Sequence, residues 1–209
     1  TRVVFLTNPN NPTGLSMPLE AVRAIARRIP PGAVVFLDEA YAEFSGETFI
    51  PELPQFPNVI VGRTFSKAFG LAGIRIGAIT GAPDTLEPIR LAVPVYSVNI
   101  AAVVAVQAAI EDRDHLQHYL RQVQESKALL YAACDRLGLR CWKSAANFVL
   151  IFAGDRLDAL VNGAARRGIY VRDRSTEPGC AGCLRVSAGV VEHTKQFITV
   201  MEEVLCAAR

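Results

Sequence analysis

The sequence has no excess of either charge and no long hydrophobic run. Its 22 basic and 20 acidic residues leave a formal net charge of +2, so nothing points to nucleic acid or an anionic membrane surface as a partner. No apolar run approaches the ~20 residues of a membrane-spanning helix, and no secretory signal peptide is visible. Hydrophobic residues make up 51% of the chain, which argues against disorder. We therefore expect a folded cytoplasmic protein with neither a nucleic-acid nor a membrane partner.

Cysteine and histidine are both scarce. The five cysteines are scattered, apart from one Cys-x-x-Cys at Cys180 and Cys183. A single pair is weak support for a zinc site, and this one lacks the setting of a redox motif, so we interpret all five as reduced thiols and these two as loop residues. The three histidines, His115, His118 and His193, lie in polar helical stretches, where solvated side chains are expected. The sequence thus predicts no metal site.

Three short apolar runs, each ending in a polar segment, organise the first half of the chain. They are Val3–Leu6, Val34–Leu37 and Val59–Val61. Between the first two, apolar residues recur at helical spacing over residues 18–29. A strand, a helix and a strand at this spacing are typical of a parallel α/β sheet, and residues 74–80 suggest a further strand. We therefore predict an α/β domain with a mostly parallel sheet and flanking helices.

The polar residues that follow these runs are candidates for one shared site. Asn11 follows the first run, Asp38 and Tyr41 follow the second, and Lys67 follows the third. Open α/β sheets bind ligands outside the carboxyl ends of their strands. We therefore expect these four residues to meet along one edge of the sheet.

The segment from Gly62 to Gly77, GRTFSKAFGLAGIRIG, has an unusual composition. Its glycines suggest tight turns, so that Lys67 and Arg75 could converge on one compact anionic ligand. A lysine held out of bulk water becomes a usable nucleophile and can form a Schiff base with an aldehyde. Taken alone, the segment is equally compatible with a glycine-rich surface loop that carries solvated cations.

The second half of the chain predicts a different architecture. The helix expected at residues 99–111 is apolar on all sides, which predicts that it is well buried. We predict a large cofactor-binding α/β domain over residues 1–114 and a small α+β domain over residues 115–209, bridged by a helix at about 115–137. The remaining predicted elements are a helix at 84–91, strands at 140–142, 147–152, 169–172 and 184–187, and helices at 157–167 and 191–207.

Four motifs occur in order over essentially the whole chain. They are NPNNPTG from Asn8, DEAY from Asp38, SKAFGLAGIRIG from Ser66 and LRVSAG from Leu184. This combination resembles the pyridoxal-phosphate-dependent aminotransferases of class I and II, which have the aspartate aminotransferase fold. Within that family the likeness is strongest to the histidinol-phosphate aminotransferases.

The resemblance implies a role for each residue of the cofactor site. Lys67 would hold pyridoxal phosphate through its amine and then act as general base and acid. Asp38 would keep the pyridine nitrogen protonated, and Asn11 and Tyr41 would hydrogen-bond the phenolic oxygen. Pro12 is expected to follow a cis peptide bond. The cofactor phosphate would receive charge-assisted hydrogen bonds from Arg75, Ser66 and Thr64.

The same resemblance places three residues at the substrate. Arg185, in the LRVSAG motif, is similar to the arginine that grips a substrate acid group by two parallel hydrogen bonds. Arg172 is similar to an arginine that assists in binding a substrate phosphate, although Arg174 faces the same side of a strand. Asn147 matches a further position near the substrate. The implied partners are an amino donor, the pair 2-oxoglutarate and glutamate, and a second copy of the chain in a homodimer.

The amino-terminal portion typical of the family is absent from this sequence, which begins at Thr1 rather than at a methionine. That portion normally carries a glycine-rich turn at the cofactor phosphate, a ring stacked on the pyridine and an arm over the substrate. We therefore expect a fragment that retains the cofactor weakly and has little turnover by itself.

Three alternative functions share these motifs. An aromatic amino acid aminotransferase and a threonine-phosphate decarboxylase would use the same cofactor residues. The third alternative is the aminotransferase-like effector-binding domain of a transcription regulator, which would be expected beside a basic DNA-binding segment. These residues contain no basic DNA-binding segment. The intact set of Lys67, Asp38 and Arg75 favours an enzyme over a regulator domain. The resemblance implies that this enzyme transaminates histidinol phosphate with 2-oxoglutarate in histidine biosynthesis.

Overall fold

The computed structural model of the chain describes residues 1–207 and divides them between two compact units. The first unit comprises residues 1–9 and 16–116, and the second comprises residues 10–15 together with the chain from residue 117 onward. The loop Asn10–Leu15 therefore belongs to the second unit, although it lies in the sequence between two parts of the first.

The first unit is built on a four-stranded sheet. Its strands are β1 (Val3–Thr7), β2 (Val34–Asp38), β3 (Val59–Thr64) and β4 (Gly77–Gly81), in the order β1-β2-β3-β4. The first three are parallel and β4 pairs antiparallel with β3. The prediction of a mostly parallel sheet is thus confirmed. In the register between β2 and β3, Asp38 lies opposite Gly62, so both strands end at the same edge.

Helices and turns connect these strands. The core against the sheet includes five fully buried residues, Val22, Val35, Leu37, Phe49 and Val61. The strands contribute runs of apolar residues, and α1 contributes apolar residues at helical spacing. The connecting elements are α1 (Leu19–Arg28), α2 (Ala42–Ser45), 3-10 turns at Ile50–Gln55 and Ala72–Ile74, α3 (Pro83–Ala92) and α4 (Ile100–Glu111).

Helix α4 contradicts the expectation that residues 99–111 are well buried. Only Ala102 is buried, and Ile100 and Val104 are 78% and 59% exposed. The helix is apolar around its whole circumference, so burial would need protein on every side, and the first unit supplies close packing on one side only. Among residues 1–207, no helix is both long and apolar enough to span a membrane.

The second unit contains a four-stranded antiparallel sheet in the order β5-β6-β8-β7. Cys183 begins β8, so the expectation that it is a loop residue is wrong, and both it and Cys180 are buried. The helices of this unit bury one residue each at Leu130, Leu160 and Met201, among others. The elements are α5 (Arg113–Leu137), which starts in the first unit, β5 (Arg140–Cys141), β6 (Phe148–Phe152), a 3-10 turn at Gly154–Arg156, α6 (Leu157–Ala165), β7 (Arg172–Asp173), β8 (Cys183–Ser187) and α7 (Val191–Ala207).

Gly62 leaves room for the ring of Phe36 on the neighbouring strand. A Cβ atom at this position would lie 2.8 Å from Cζ and 3.0 Å from Cε1 of Phe36, which packs over β3. We predict that Gly62→Val lowers the free energy of unfolding by about 1–3 kcal/mol, because the added side chain overpacks the neighbouring strand. Urea denaturation measures the change. The matched control is Gly73→Val, where a Cβ atom meets nothing within 4 Å, and an equal loss there would contradict the packing argument.

Candidate active site

A cavity of about 570 Å³ lies at the carboxyl ends of β2 and β3. Five of the residues that the sequence predicts at a cofactor line it, although they come from three separate stretches of the chain. The sheet brings them together because β2 and β3 are parallel neighbours that end at one edge. They are Asp38, Thr64, Ser66, Lys67 and Arg75.

Asp38 is held at the last position of β2. Its Oδ1 atom accepts a hydrogen bond of 2.9 Å from the backbone N–H of Ala40. Its carbonyl oxygen accepts one of 2.9 Å from the N–H of Asn8. With one carboxylate oxygen engaged by its own turn, the carboxylate has a fixed orientation at the cavity wall.

Lys67 lies on a compact loop that follows β3. The loop is closed by backbone hydrogen bonds from Leu71 N to Phe65 O (2.9 Å) and from Gly70 N to Lys67 O (3.1 Å). The Lys67 side chain is exposed, so the expectation of a lysine held out of bulk water is wrong for this chain. Its Nζ atom lies 5.9 Å from the ring centroid of the buried Tyr41. The loop therefore fixes the position of the Lys67 backbone, and the side-chain amine stays accessible from the cavity.

The remaining three cavity residues, Thr64, Ser66 and Arg75, are those predicted at the cofactor phosphate. Thr64 Oγ1 accepts a hydrogen bond of 3.1 Å from the backbone N–H of Ser66, which tightens the turn between them. Arg75 has φ +61°, and within residues 1–207 it is the only residue other than glycine with positive φ. Its Nη1 donates to Ala72 O at 2.8 Å. Uncommon backbone geometry of this kind clusters at ligand sites.

A network of charged residues ties the ends of β2 and β3 beside the cavity. The carboxylate of Glu39, a residue only 1% exposed, accepts hydrogen bonds from Arg63 Nη1 (3.1 Å), Thr48 Oγ1 (2.6 Å) and Phe49 N (2.6 Å). Arg63 Nη2 also donates to Glu43 at 2.5 Å. Glu39 directly follows Asp38, and Arg63 directly precedes Thr64, so the network holds both strand ends that carry cavity residues.

Asn11, by contrast, makes its contacts in the second unit. Its Oδ1 atom accepts hydrogen bonds from Arg185 Nη1 at 2.5 Å and from Arg174 Nη2 at 3.3 Å. Because a guanidinium group only donates, these contacts fix the amide orientation and leave the Asn11 NH2 group to donate elsewhere. Arg174 is itself held by Glu177.

The loop that carries Asn11 is anchored at its far end. The peptide bonds before Pro9 and Pro12 are cis, which confirms the expectation for Pro12. Gly14 has φ +73°, and a Cβ atom there would lie 2.2 Å from Ser144 Oγ, so only glycine fits. Ser144 O in turn accepts a hydrogen bond of 2.8 Å from Lys127 Nζ, and burial lowers the pKa of this lysine.

The other two predicted substrate residues also lie in the second unit. Arg172 is exposed and lies directly opposite Arg185 in the register between β7 and β8, so their side chains share one face of the sheet. Arg185 also lies over the Phe148 ring, with its Cζ atom 4.9 Å from the centroid. Asn147 is half-buried, and its carbonyl oxygen accepts a hydrogen bond of 2.8 Å from Ala188 N.

Sequence reasoning did not assign roles to Glu39, Arg63 and Arg174. A signal was present for the first two, since each is a charged residue at the end of an otherwise apolar strand. Arg174 could be placed only on the same side as Arg172. Its contact with Asn11 joins positions 163 residues apart, which no local pattern reveals.

The comparisons with known proteins agree with this arrangement. The family model for aminotransferase class I and II matches residues 1–200. The chain therefore belongs to the class I and II aminotransferases, and the resemblance seen in its motifs is confirmed.

Individual relatives show which aminotransferases this chain is similar to. The histidinol-phosphate aminotransferase of Symbiobacterium thermophilum is 39% identical, over 98% of this chain and 57% of its own length. Histidinol-phosphate aminotransferase 1 of Nitrosococcus oceani is 37% identical, over 98% of this chain and 56% of its own. The crystal structure of histidinol-phosphate aminotransferase from Sinorhizobium meliloti in complex with pyridoxal-5'-phosphate matches with a TM-score of 0.90 at 31% identity, covering 100% of this chain and 58% of that one. The chain thus spans somewhat more than half the length of these relatives.

The Glu39–Arg63 network yields a stability prediction. Arg63→Met would leave the buried Glu39 carboxylate without its cationic partner, so we predict a loss of about 3 kcal/mol in the free energy of unfolding. The double variant Glu39→Gln/Arg63→Met removes the uncompensated charge at Glu39 and should recover part of that loss, while Glu43 stays without Arg63. Urea denaturation of the single and double variants measures both changes.

The control for this prediction is Arg90→Met. Arg90 pairs with Glu87 on the surface, where an ion pair contributes little, so its unfolding midpoint should barely move. The network would lose its assigned importance if Arg63→Met behaved like Arg90→Met, or if the double variant were no more stable than the single one.

Proposed function

We propose that this chain is the main part of a pyridoxal-phosphate-dependent aminotransferase that moves an amino group between histidinol phosphate and 2-oxoglutarate. The observation that supports the proposal best is the cavity at the ends of β2 and β3. It holds an amine, a carboxylate and a guanidinium group, from Lys67, Asp38 and Arg75, within one volume.

The residues of the cavity fit the chemistry of this cofactor. A volume of about 570 Å³ lies within the usual range for cofactor pockets. Pyridoxal phosphate has an aldehyde, a basic ring nitrogen and a phosphate, and the cavity offers a primary amine, a carboxylate and a cation with two hydroxyl groups. Each cofactor group therefore has a partner of complementary chemistry in Lys67, Asp38, Arg75, Ser66 and Thr64.

When bound, the cofactor supplies an electron sink that makes the Cα–H bond of the amino donor acidic. Lys67 supplies the amine that holds the aldehyde carbon. The same amine would act as the general base that takes the proton from substrate Cα and as the general acid that gives it to cofactor C4′. The exposure of Lys67 suits this transfer, because the amine must swing between two positions.

The other cavity residues orient the cofactor. The Asp38 carboxylate, fixed by its bond from Ala40 N, would hold a proton on the ring nitrogen. Arg75 and the hydroxyl groups of Ser66 and Thr64 would bind the phosphate. Tyr41 and Asn11 remain our candidates for the phenolic oxygen, and the free donor of the Asn11 amide is consistent with that role.

The substrate acid group would be bound in the second unit. Arg185 and Arg172 share a sheet face and can both donate to a phosphate or carboxylate. Asn147 completes the proposed set. An aromatic amino acid aminotransferase or a threonine-phosphate decarboxylase would use the same cofactor residues, and a regulator domain could keep them too. The relatives named above favour histidinol phosphate.

We further propose a cytoplasmic homodimer. Four cysteines are free thiols, which suits a reducing compartment: Cys134, Cys141, Cys180 and Cys183. The homodimer rests on the likeness to the family alone, and analytical ultracentrifugation would test it.

Borohydride trapping tests the cofactor site. The chain is incubated with excess pyridoxal phosphate and reduced, and the modified peptide is identified by mass spectrometry. Because reduction captures even weakly bound cofactor, we predict a stable label on Lys67. The corresponding peptide of Lys67→Ala should carry no label. Arg75→Ala should lose about tenfold of the label, because it binds the cofactor phosphate more weakly. Lys143→Ala is the control, since Lys143 lies in the second unit. A folded chain labelled no more at Lys67 than at other lysines would refute the proposal.

Competition by amino donors tests the substrate. Each donor competes with Lys67 for the cofactor aldehyde and so lowers the trapped label. We predict that histidinol phosphate does so at a lower concentration than histidinol, phenylalanine or threonine phosphate, because only it combines the imidazole with a phosphate. Stronger competition by phenylalanine or threonine phosphate would establish the corresponding rival.

A further inference from the structure

A second cavity, of about 440 Å³, lies in the second unit at the ends of β5 and β6. None of the residues that line it belongs to the cofactor or substrate set proposed above. Its lining combines two arginines and two aromatic residues with small residues that leave room for a ligand. The lining residues used below are Arg140, Trp142, Phe152 and Arg156.

The aromatic residues form a rigid platform. Arg140 pairs with Phe152 across β5 and β6, and its Cζ atom lies 4.9 Å from the Trp142 ring centroid. Phe152, the last residue of β6, is 42% exposed. A Cβ atom at Gly182 would lie 2.9 Å from Phe152 Cε2, so the ring fits against this loop only because the residue is glycine. The ring is therefore held in place with one part open to the cavity.

The two arginines provide charge that the unit does not neutralise. Within residues 1–207, neither Arg140 nor Arg156 forms an ion pair. Three other arginines of the same unit are paired, Arg136 with Glu202, Arg167 with Glu203 and Arg174 with Glu177. The cavity thus carries two guanidinium groups whose hydrogen-bond donors are available to a ligand, beside the exposed ring of Phe152 and the Trp142 ring over which Arg140 lies.

We propose that this cavity binds a nucleoside monophosphate, a flat aromatic ring that carries a phosphate. A neutral aromatic ligand would leave the two cations unpaired, and a small inorganic anion would leave the exposed Phe152 ring uncovered. The ring stacks against Phe152 beside the Arg140–Trp142 pair, and the phosphate receives charge-assisted hydrogen bonds from Arg140 and Arg156. The volume of the cavity is of the size that a ligand of this class occupies.

The single tryptophan of the chain makes the proposal directly testable, since Trp142 is the only source of indole fluorescence. Titration with adenosine monophosphate, excited at the red edge of the indole band where adenine does not absorb, should change the emission saturably. Adenosine should bind at least about tenfold more weakly, because it lacks the charge-assisted bonds. Inorganic phosphate should leave the emission unchanged at the same concentrations.

Variants locate the site. Arg140→Ala and Arg156→Ala should each weaken binding of adenosine monophosphate by about tenfold, the loss expected for a charge-assisted hydrogen bond. Phe152→Leu should weaken adenosine monophosphate and adenosine alike, because it removes stacking. Arg166→Ala is the control, an exposed arginine of the same unit outside the cavity, and it should bind as the parent chain does. Circular dichroism confirms that each variant is folded.

Several outcomes would overturn the proposal. Emission that changes without saturation, equal affinities for adenosine and adenosine monophosphate, or binding by Arg156→Ala that equals that of Arg166→Ala would each show that the cavity does not recognise this ligand. Since no cofactor or activity enters the measurement, its result is independent of the borohydride trapping at Lys67.

Discussion

The ion pair between Glu39 and Arg63 is the interaction on which the candidate active site depends most. It joins the ends of two parallel strands at the point where each delivers a residue to the cavity. Burying a carboxylate is costly unless it is fully compensated, and Glu39 is compensated by an arginine, a hydroxyl group and a backbone N–H. Asp38 and Thr64 lie next to the paired residues in sequence. The network therefore limits how far the two strand ends can separate.

Much of this arrangement could be predicted because it rests on local patterns. Apolar runs with polar ends gave the strands, and the rule that parallel strands share a ligand-binding edge brought Asp38 and Lys67 to one cavity. The network around Glu39 could not be predicted, because Thr48 and Phe49 reach it through an irregular connection with no periodic pattern. The exposure of Lys67 and of α4 was also missed. Burial depends on what surrounds a segment, and composition reports only what the segment itself would tolerate.

The proposed functions are distributed between two structural units. Residues suited to a cofactor lie in the first unit, whereas Arg172, Arg185 and the contacts of Asn11 lie in the second. This division assigns different chemistry to different folds. A parallel sheet edge gathers residues from several strand ends, and an antiparallel sheet places cations side by side on one face.

The loop Asn10–Leu15 has a consequence for any attempt to separate the units. The chain passes from one unit to the other at residues 9–10, 15–16 and 116–117, so no single cut yields both units complete. A polypeptide ended at Leu116 would contain Asn11 but lack Ser144 and Arg185, the residues that give its loop a defined shape. To express the two units separately, residues 10–15 would therefore have to be moved to the second unit. Otherwise the first unit would carry Asn11 without the residues that contact its loop.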